Sequence, residues 1–94
     1  MKKVKKPAES VVLEFDFSSE LDGIDAVSRY VTVYGDGTDP DIGTFYDGAY
    51  QVSGKKVLQR ISAGISGLKY KVSCLAERGA NKIEREDIIY VESR

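Results

Sequence analysis

The stretch that decides the fold is residues 68–77, LKYKVSCLAE, because apolar and polar side chains alternate along most of it. A period of two residues places alternate side chains on opposite faces of a β-strand. One face of this stretch is apolar or small and comprises Leu68, Tyr70, Val72, Cys74 and Ala76. The opposite face is mainly charged or polar and comprises Lys69, Lys71, Ser73 and Glu77. The alternation predicts a half-buried strand with Cys74 on its inner face, where a free cysteine behaves as a small apolar residue.

Similar patterns recur on both sides of this strand. Runs rich in β-branched and aromatic residues predict further strands at 10–17, 24–34, 49–52, 56–62 and 83–91. In the first of these runs, Phe15 and Phe17 lie on the same face and are candidate core residues. Turn residues separate the runs, and none of them has the period of a long helix. The sequence therefore predicts an all-β fold, a single antiparallel β-sandwich of six or seven strands.

Composition limits the kinds of function to be considered. The chain of 94 residues has 14 Lys and Arg against 15 Asp and Glu, a balance that argues against nucleic-acid binding by the domain as a whole. It has no histidine, the commonest general base, and its one cysteine cannot form an internal disulfide. No apolar run approaches the length that spans a bilayer. We therefore expect a domain without catalytic residues, cofactor, metal or membrane contact.

The first six residues, MKKVKK, carry four lysines, and these are Lys2, Lys3, Lys5 and Lys6. One interpretation is a solvated, mobile tail over residues 1–9, followed by the sandwich over residues 10–92. The other is a tether to an acidic partner surface or to DNA. The four lysines are therefore candidate partner contacts, and they are the one part of the chain for which nucleic acid remains open.

The segment at 35–48, GDGTDPDIGTFYDG, predicts a long connection with tight turns. Its acidic residues do not follow the spacing of an EF-hand loop, because Asp41 stands where that loop requires glycine. The aromatic residues here and just beyond, Phe45, Tyr46 and Tyr50, are candidate partner contacts, since tyrosine is enriched at interfaces. The alternatives are a glycan or cation site in this loop and simple strand packing of the tyrosines.

Two stretches together resemble one protein family. KKPAESVVLEFDFSSELDGID, at 5–25, resembles the start of small immunoglobulin-like or fibronectin-III-like proteins from the structural gene clusters of tailed phages and prophages. Residues 52–91 resemble the second half of those proteins. The positions that match in this second half are Val52, Gly54, Val57, Ile61, Ser62, Gly64, Gly67, Tyr70, Val72, Cys74, Gly79, Arg85, Asp87, Ile89 and Val91.

The resemblance implies an immunoglobulin-like sandwich that is a structural part of a virion, near the capsid, neck or tail. It implies other virion proteins or further copies of the chain as partners, with the bacterial cytoplasm as the site of assembly. In such sandwiches a tyrosine after a glycine turn bonds nearby backbone through its hydroxyl, and Tyr70 is the candidate for this role. Gly64 and Gly67 would then set the backbone geometry of the turn that precedes it.

Overall fold

The structure is a computed structural model that describes residues 3–92, and within that range it contains seven β-strands and one short 3₁₀ turn. The strands are β1 (Lys3–Lys5), β2 (Val11–Asp16), β3 (Ala26–Val33), β4 (Gln51–Ser53), β5 (Lys56–Ile61), β6 (Lys69–Arg78) and β7 (Asn81–Val91). The 3₁₀ turn spans Ile42–Thr44, in the connection between β3 and β4.

The strands form two sheets. The larger has the order β1-β7-β6-β3, and the smaller has the order β2-β5-β4. All neighbours pair in antiparallel fashion except β1 and β7, which run parallel. The all-β fold expected from the alternation is therefore present, and two sheets with a common core are compatible with a β-sandwich.

The inner faces of both sheets contribute to one apolar core. The smaller sheet contributes Leu13, Phe15, Val57 and Ile61, and the larger contributes Tyr70, Val72, Cys74, Ala76, Ile89 and Val91. Phe17, just after β2, is also fully buried. The decisive alternation of the sequence is thus the inner face of β6, and Cys74 lies at its centre.

Tyr70 ties the turn before β6 to the long connection between β3 and β4. Its hydroxyl accepts a hydrogen bond from the backbone N–H of Ile65 at 2.9 Å and donates one to Asp39 Oδ2 at 2.6 Å. Its ring stacks on Phe45, with ring centroids 4.3 Å apart and planes 7° from parallel. A buried tyrosine needs such a partner for its hydroxyl, and here it has two.

The start of the chain differs from the expected tail, because Lys3–Lys5 forms β1 on the edge of the larger sheet. Lys5 is only 1% exposed, and its Nζ donates to the carbonyls of Lys6 (2.8 Å) and Ala63. Its ammonium group also lies 5.9 Å from the Phe45 ring centroid. Burial lowers the pKa of Lys5, since a low-dielectric setting disfavours the charged form. The number of lysines in the sequence does not predict that the aliphatic part of the Lys5 side chain is buried while its ammonium group bonds backbone carbonyls.

The turn between β5 and β6 contains two glycines that share a backbone conformation and differ in their surroundings. Gly64 and Gly67 both have positive φ, +96° and +95°, where side chains are strained. A Cβ at Gly64 would also lie 2.9 Å from Val91 Cγ2 and 3.2 Å from Phe45 Cε1, whereas a Cβ at Gly67 would meet open space. The two positions therefore separate backbone strain from steric exclusion.

We expect Gly67→Ala to lower the free energy of unfolding by about 1–2 kcal/mol, the cost of a left-handed backbone for alanine. Gly64→Ala should lose a further 1–3 kcal/mol or so, because the new methyl group overpacks the core. Urea denaturation of the two variants and the wild type measures both losses. Equal losses in the two variants would contradict the steric part of this account.

Candidate interaction surface

The outer face of the larger sheet carries a row of side chains that extends from β1 across β7 and β6 to the residue that follows β3. Val4 pairs with Tyr90, Tyr90 pairs with Lys69, and the N–H of Tyr34 donates to the carbonyl of Lys69 at 2.8 Å. These four side chains point outward because their sequence neighbours on the inner face, such as Tyr70 and Val91, are buried. The pairing register of the strands thus brings these four side chains into one row.

Lys69 lies between two aromatic rings in this row. Its Nζ is 5.8 Å from the ring centroid of Tyr34 and 5.9 Å from that of Tyr90. An ammonium group at this distance is attracted by the electron-rich ring face, and each such contact also restrains the long lysine stem. Tyr34 is 50% exposed and Val4 is 48% exposed, so both ends of the row reach solvent.

Two more rows continue the same face. Thr32, Lys71 and Ile88 lie side by side in one, and Tyr30, Ser73 and Glu86 lie side by side in the next. Lys71 Nζ is 3.1 Å from Glu86 Oε2, and the Ser73 hydroxyl donates to the same carboxylate at 3.4 Å.

We call this surface the tyrosine face, and its members are Val4, Tyr30, Tyr34, Lys69, Ile88 and Tyr90. Tyrosine side chains bring a large apolar ring and a polar hydroxyl, and they lose little conformational entropy on binding. They are enriched at the buried centre of protein interfaces, where most charged residues are depleted. The three tyrosines of the tyrosine face therefore suit contact with another protein surface.

The aromatic residues predicted as contacts in the long connection lie elsewhere. Phe45 is only 1% exposed and stacks on Tyr70, so its prediction as a partner contact is wrong. The sequence placed it in a glycine- and aspartate-rich loop, but the segment after the 3₁₀ turn folds back onto β5. The N–H of Ser62 bonds the carbonyl of Phe45 at 3.0 Å, which fixes the ring in the core.

Tyr46 and Tyr50 are half-buried around Arg29. The Arg29 guanidinium carbon lies 5.5 Å from the Tyr46 ring centroid and 5.0 Å from that of Tyr50. Arg29 also donates to the side-chain carbonyl of Gln59, which is itself buried. The Tyr46 hydroxyl lies 2.5 Å from the carbonyl oxygen of Tyr30, its hydrogen-bond acceptor. Both rings thus take part in closing the gap between the sheets beside β3 and β4.

The predicted lysine contacts separate into different environments. Lys3 forms an ion pair with Asp87 at the surface, and Lys6 is exposed. Lys5 is buried, so its prediction as a partner contact is wrong, for the reason given above. Lys2 lies outside the described residues. The lysine cluster of the sequence is therefore not a single basic patch over residues 3–6.

The Cys74 thiol and the Asp39 carboxylate have structural roles. Burial raises the pKa of the Cys74 thiol to about 11, which opposes formation of the reactive thiolate. Asp39 accepts from Tyr70 and from the N–H of Asp41, within the connection proposed as a cation loop. Across residues 3–92, no group of three or more cysteine or acidic side chains is placed to hold a metal ion.

No family model, curated protein or solved structure matches the chain. In the part of the chain that the structure describes, no helix has the length and apolarity needed to cross a membrane.

The tyrosine face could be predicted only in part from the sequence. Alternation in 68–77 shows that Lys69 and Lys71 point outward, but the register that puts Tyr34 and Tyr90 on either side of Lys69 depends on long-range strand pairing.

The hydroxyls of Tyr46 and Tyr70 predict how stability depends on pH. Burial is the main cause that raises the pKa of Tyr46 to about 12; the same cause, with the Asp39 hydrogen bond, raises that of Tyr70 to about 12. Because the unfolded chain ionises near its ordinary tyrosine pKa of about 10, these contributions are complete below pH 10 and are lost as pH rises toward 12.

We therefore expect the free energy of unfolding to fall between about pH 10 and 12, and to fall less steeply in Tyr46→Phe and Tyr70→Phe. Urea denaturation at several pH values in this range gives the slope for each protein. An unchanged slope in both phenylalanine variants would contradict this assignment.

Proposed function

We propose that the chain is an immunoglobulin-like sandwich that works by binding other proteins, as a structural component of a tailed-phage or prophage virion. The strand orders support the first part. β3, β6 and β7 correspond to the C-F-G order of such sandwiches, and β2, β5 and β4 correspond to B-E-D. Tyr70, near the start of β6, bonds backbone five residues upstream, as a tyrosine corner does.

The observation that carries the binding role is the Tyr34–Lys69–Tyr90 row on the tyrosine face. The two rings hold the Lys69 ammonium group in place before any partner arrives, so less conformational entropy is lost on binding. A partner surface with carboxylates opposite Lys69 and an apolar patch opposite Val4 and Ile88 would complement this face. The proposal assigns no catalytic step and no cofactor to the chain.

The assignment to a virion rests on the resemblance of residues 5–25 and 52–91 to phage immunoglobulin-like proteins. The proposed partners are accordingly capsid, neck or tail proteins, which the chain would meet in the bacterial cytoplasm during assembly. A glycan or cation site in the 35–48 connection has less support, because Phe45 is in the core and Asp39 bonds Tyr70.

The test begins with the genes next to the one that encodes this chain. Each neighbouring capsid, neck or tail protein is purified, and its affinity for the wild-type chain is measured by biolayer interferometry. The double variant Tyr34→Ala/Lys69→Ala should weaken binding to the true partner by about tenfold or more, since it removes the Lys69 ammonium group and one of the two rings that hold it.

A matched control is Val52→Ala/Lys55→Ala, which alters exposed residues near the edge of the other sheet. This control should bind within about twofold of the wild type, and both variants should keep the wild-type urea midpoint. Equal weakening by the two variants would remove the tyrosine face from the proposal. A neighbourhood without virion genes would overturn the virion assignment.

A further inference from the structure

Arg29 is a charged side chain on the inner side of the larger sheet. It lies opposite buried Cys74 in the β3–β6 register, so both side chains point toward the smaller sheet. Because β3 is the terminal strand of its sheet, the Arg29 side chain lies at the flank of the core and stays partly exposed. A guanidinium in such a place needs partners for its N–H groups and for its charge.

Hydrogen bonds on one nitrogen fix the orientation of this guanidinium. The Nη1 atom of Arg29 donates to the side-chain oxygen of Gln59 and, at 3.3 Å, to the carbonyl oxygen of Gly48. Gln59 is itself fixed, because its Nε2 donates to the carbonyls of Gly48 at 3.2 Å and Arg60 at 2.8 Å. The Gln59 oxygen therefore points to Arg29 and holds the guanidinium in one orientation.

The edge of the guanidinium formed by Nε and Nη2 is open. Within residues 3–92, the hydrogen bonds that Arg29 donates all come from Nη1, and no carboxylate forms an ion pair with it. The same residues contain no buried side-chain nitrogen without a hydrogen-bond partner, so Nε and Nη2 are in contact with solvent. Two neighbouring guanidinium nitrogens can bind both oxygens of one carboxylate side by side.

Two tyrosine rings strengthen this edge as an anion site. The ring centroids of Tyr46 and Tyr50 lie 5.5 and 5.0 Å from the guanidinium carbon of Arg29, and both side chains are half-buried. The rings replace water around the charge, so an anion bound there would interact with it more strongly than at a fully exposed arginine. Their apolar surface also offers contact to a flat group attached to the anion.

We propose that Arg29 is a binding site for a carboxylate carried by an aromatic group. A planar carboxylate matches the Nε–Nη2 edge, and one guanidinium neutralises its single charge. A phosphate near neutral pH carries more charge than one guanidinium can neutralise. The ligand is either a free aromatic acid or the C-terminal carboxylate of an aromatic residue, which share this chemistry. The site does not depend on the proposed function of the tyrosine face.

The test is an NMR titration of the isotope-labelled chain, in which the Nε–Hε signal of each arginine reports on its own guanidinium. Benzoate and N-acetylphenylalanine, added at constant ionic strength, should each shift the Arg29 signal saturably, with dissociation constants on the order of 10 mM or below. The tighter of the two probes identifies the source, a free acid or a chain terminus. N-acetylphenylalaninamide, which lacks the carboxylate, and inorganic phosphate should give no saturable shift.

Two variants separate binding from a structural role of Arg29, and the backbone amide signals of residues 46–50 follow binding in them. Arg29→Lys keeps the charge but loses the paired nitrogens, so it should weaken benzoate binding about fivefold or more. Tyr50→Leu leaves the guanidinium in place, so it should weaken benzoate about threefold and acetate less than about twofold. The matched control, Arg60→Lys, alters an exposed arginine on β5 and should change benzoate binding less than about twofold.

The wild type alone can overturn the proposal, so the test does not depend on the folding of any variant. No saturable Arg29 shift with either aromatic carboxylate up to about 50 mM would overturn it. An equal shift of the Arg60 signal, or tighter binding of phosphate than of benzoate, would overturn it as well. These measurements use no virion protein, so their outcome is independent of the test of the tyrosine face.

Discussion

The Tyr70 side chain joins the apolar core to two segments that lie outside the sheets. Its ring fills the core against Phe45, while its hydroxyl joins the turn before β6 to the connection between β3 and β4. One residue therefore fixes two segments that have little regular structure of their own. Removing the hydroxyl alone would leave the Ile65 N–H and the Asp39 carboxylate to find other partners, and unmet polar groups are costly.

Much of the fold could be predicted from local sequence, because apolar and polar side chains alternate along a strand that has one buried face. The runs around Phe15, Val57 and Val72 show this period, and each is a strand in the structure. The first strand was missed because its three residues, KVK, have no apolar alternation. Its position is set by parallel pairing with β7 and by the burial of Lys5 on backbone carbonyls, both of which are long-range effects.

The candidate surface was harder to predict than the core. Alternation correctly predicted that Lys69 points outward. The aromatic residues that flank it come from β7 and from the residue after β3, more than 20 positions away in each direction. In contrast, Phe45 looked exposed because glycine and aspartate surround it in the sequence. The glycine and aspartate content of a segment predicts turns of its backbone, but it does not predict which side chain of the segment enters the core.

The parallel pairing of β1 with β7 has a mechanical consequence. Tension applied through the two ends of the described chain would pull these neighbouring strands in opposite directions along their length. The hydrogen bonds between residues 3–5 and 89–92 would then be loaded together in shear, and no single bond would be peeled open first. A domain with this geometry resists stretching more than its few terminal contacts suggest, a useful property in any assembly that carries load.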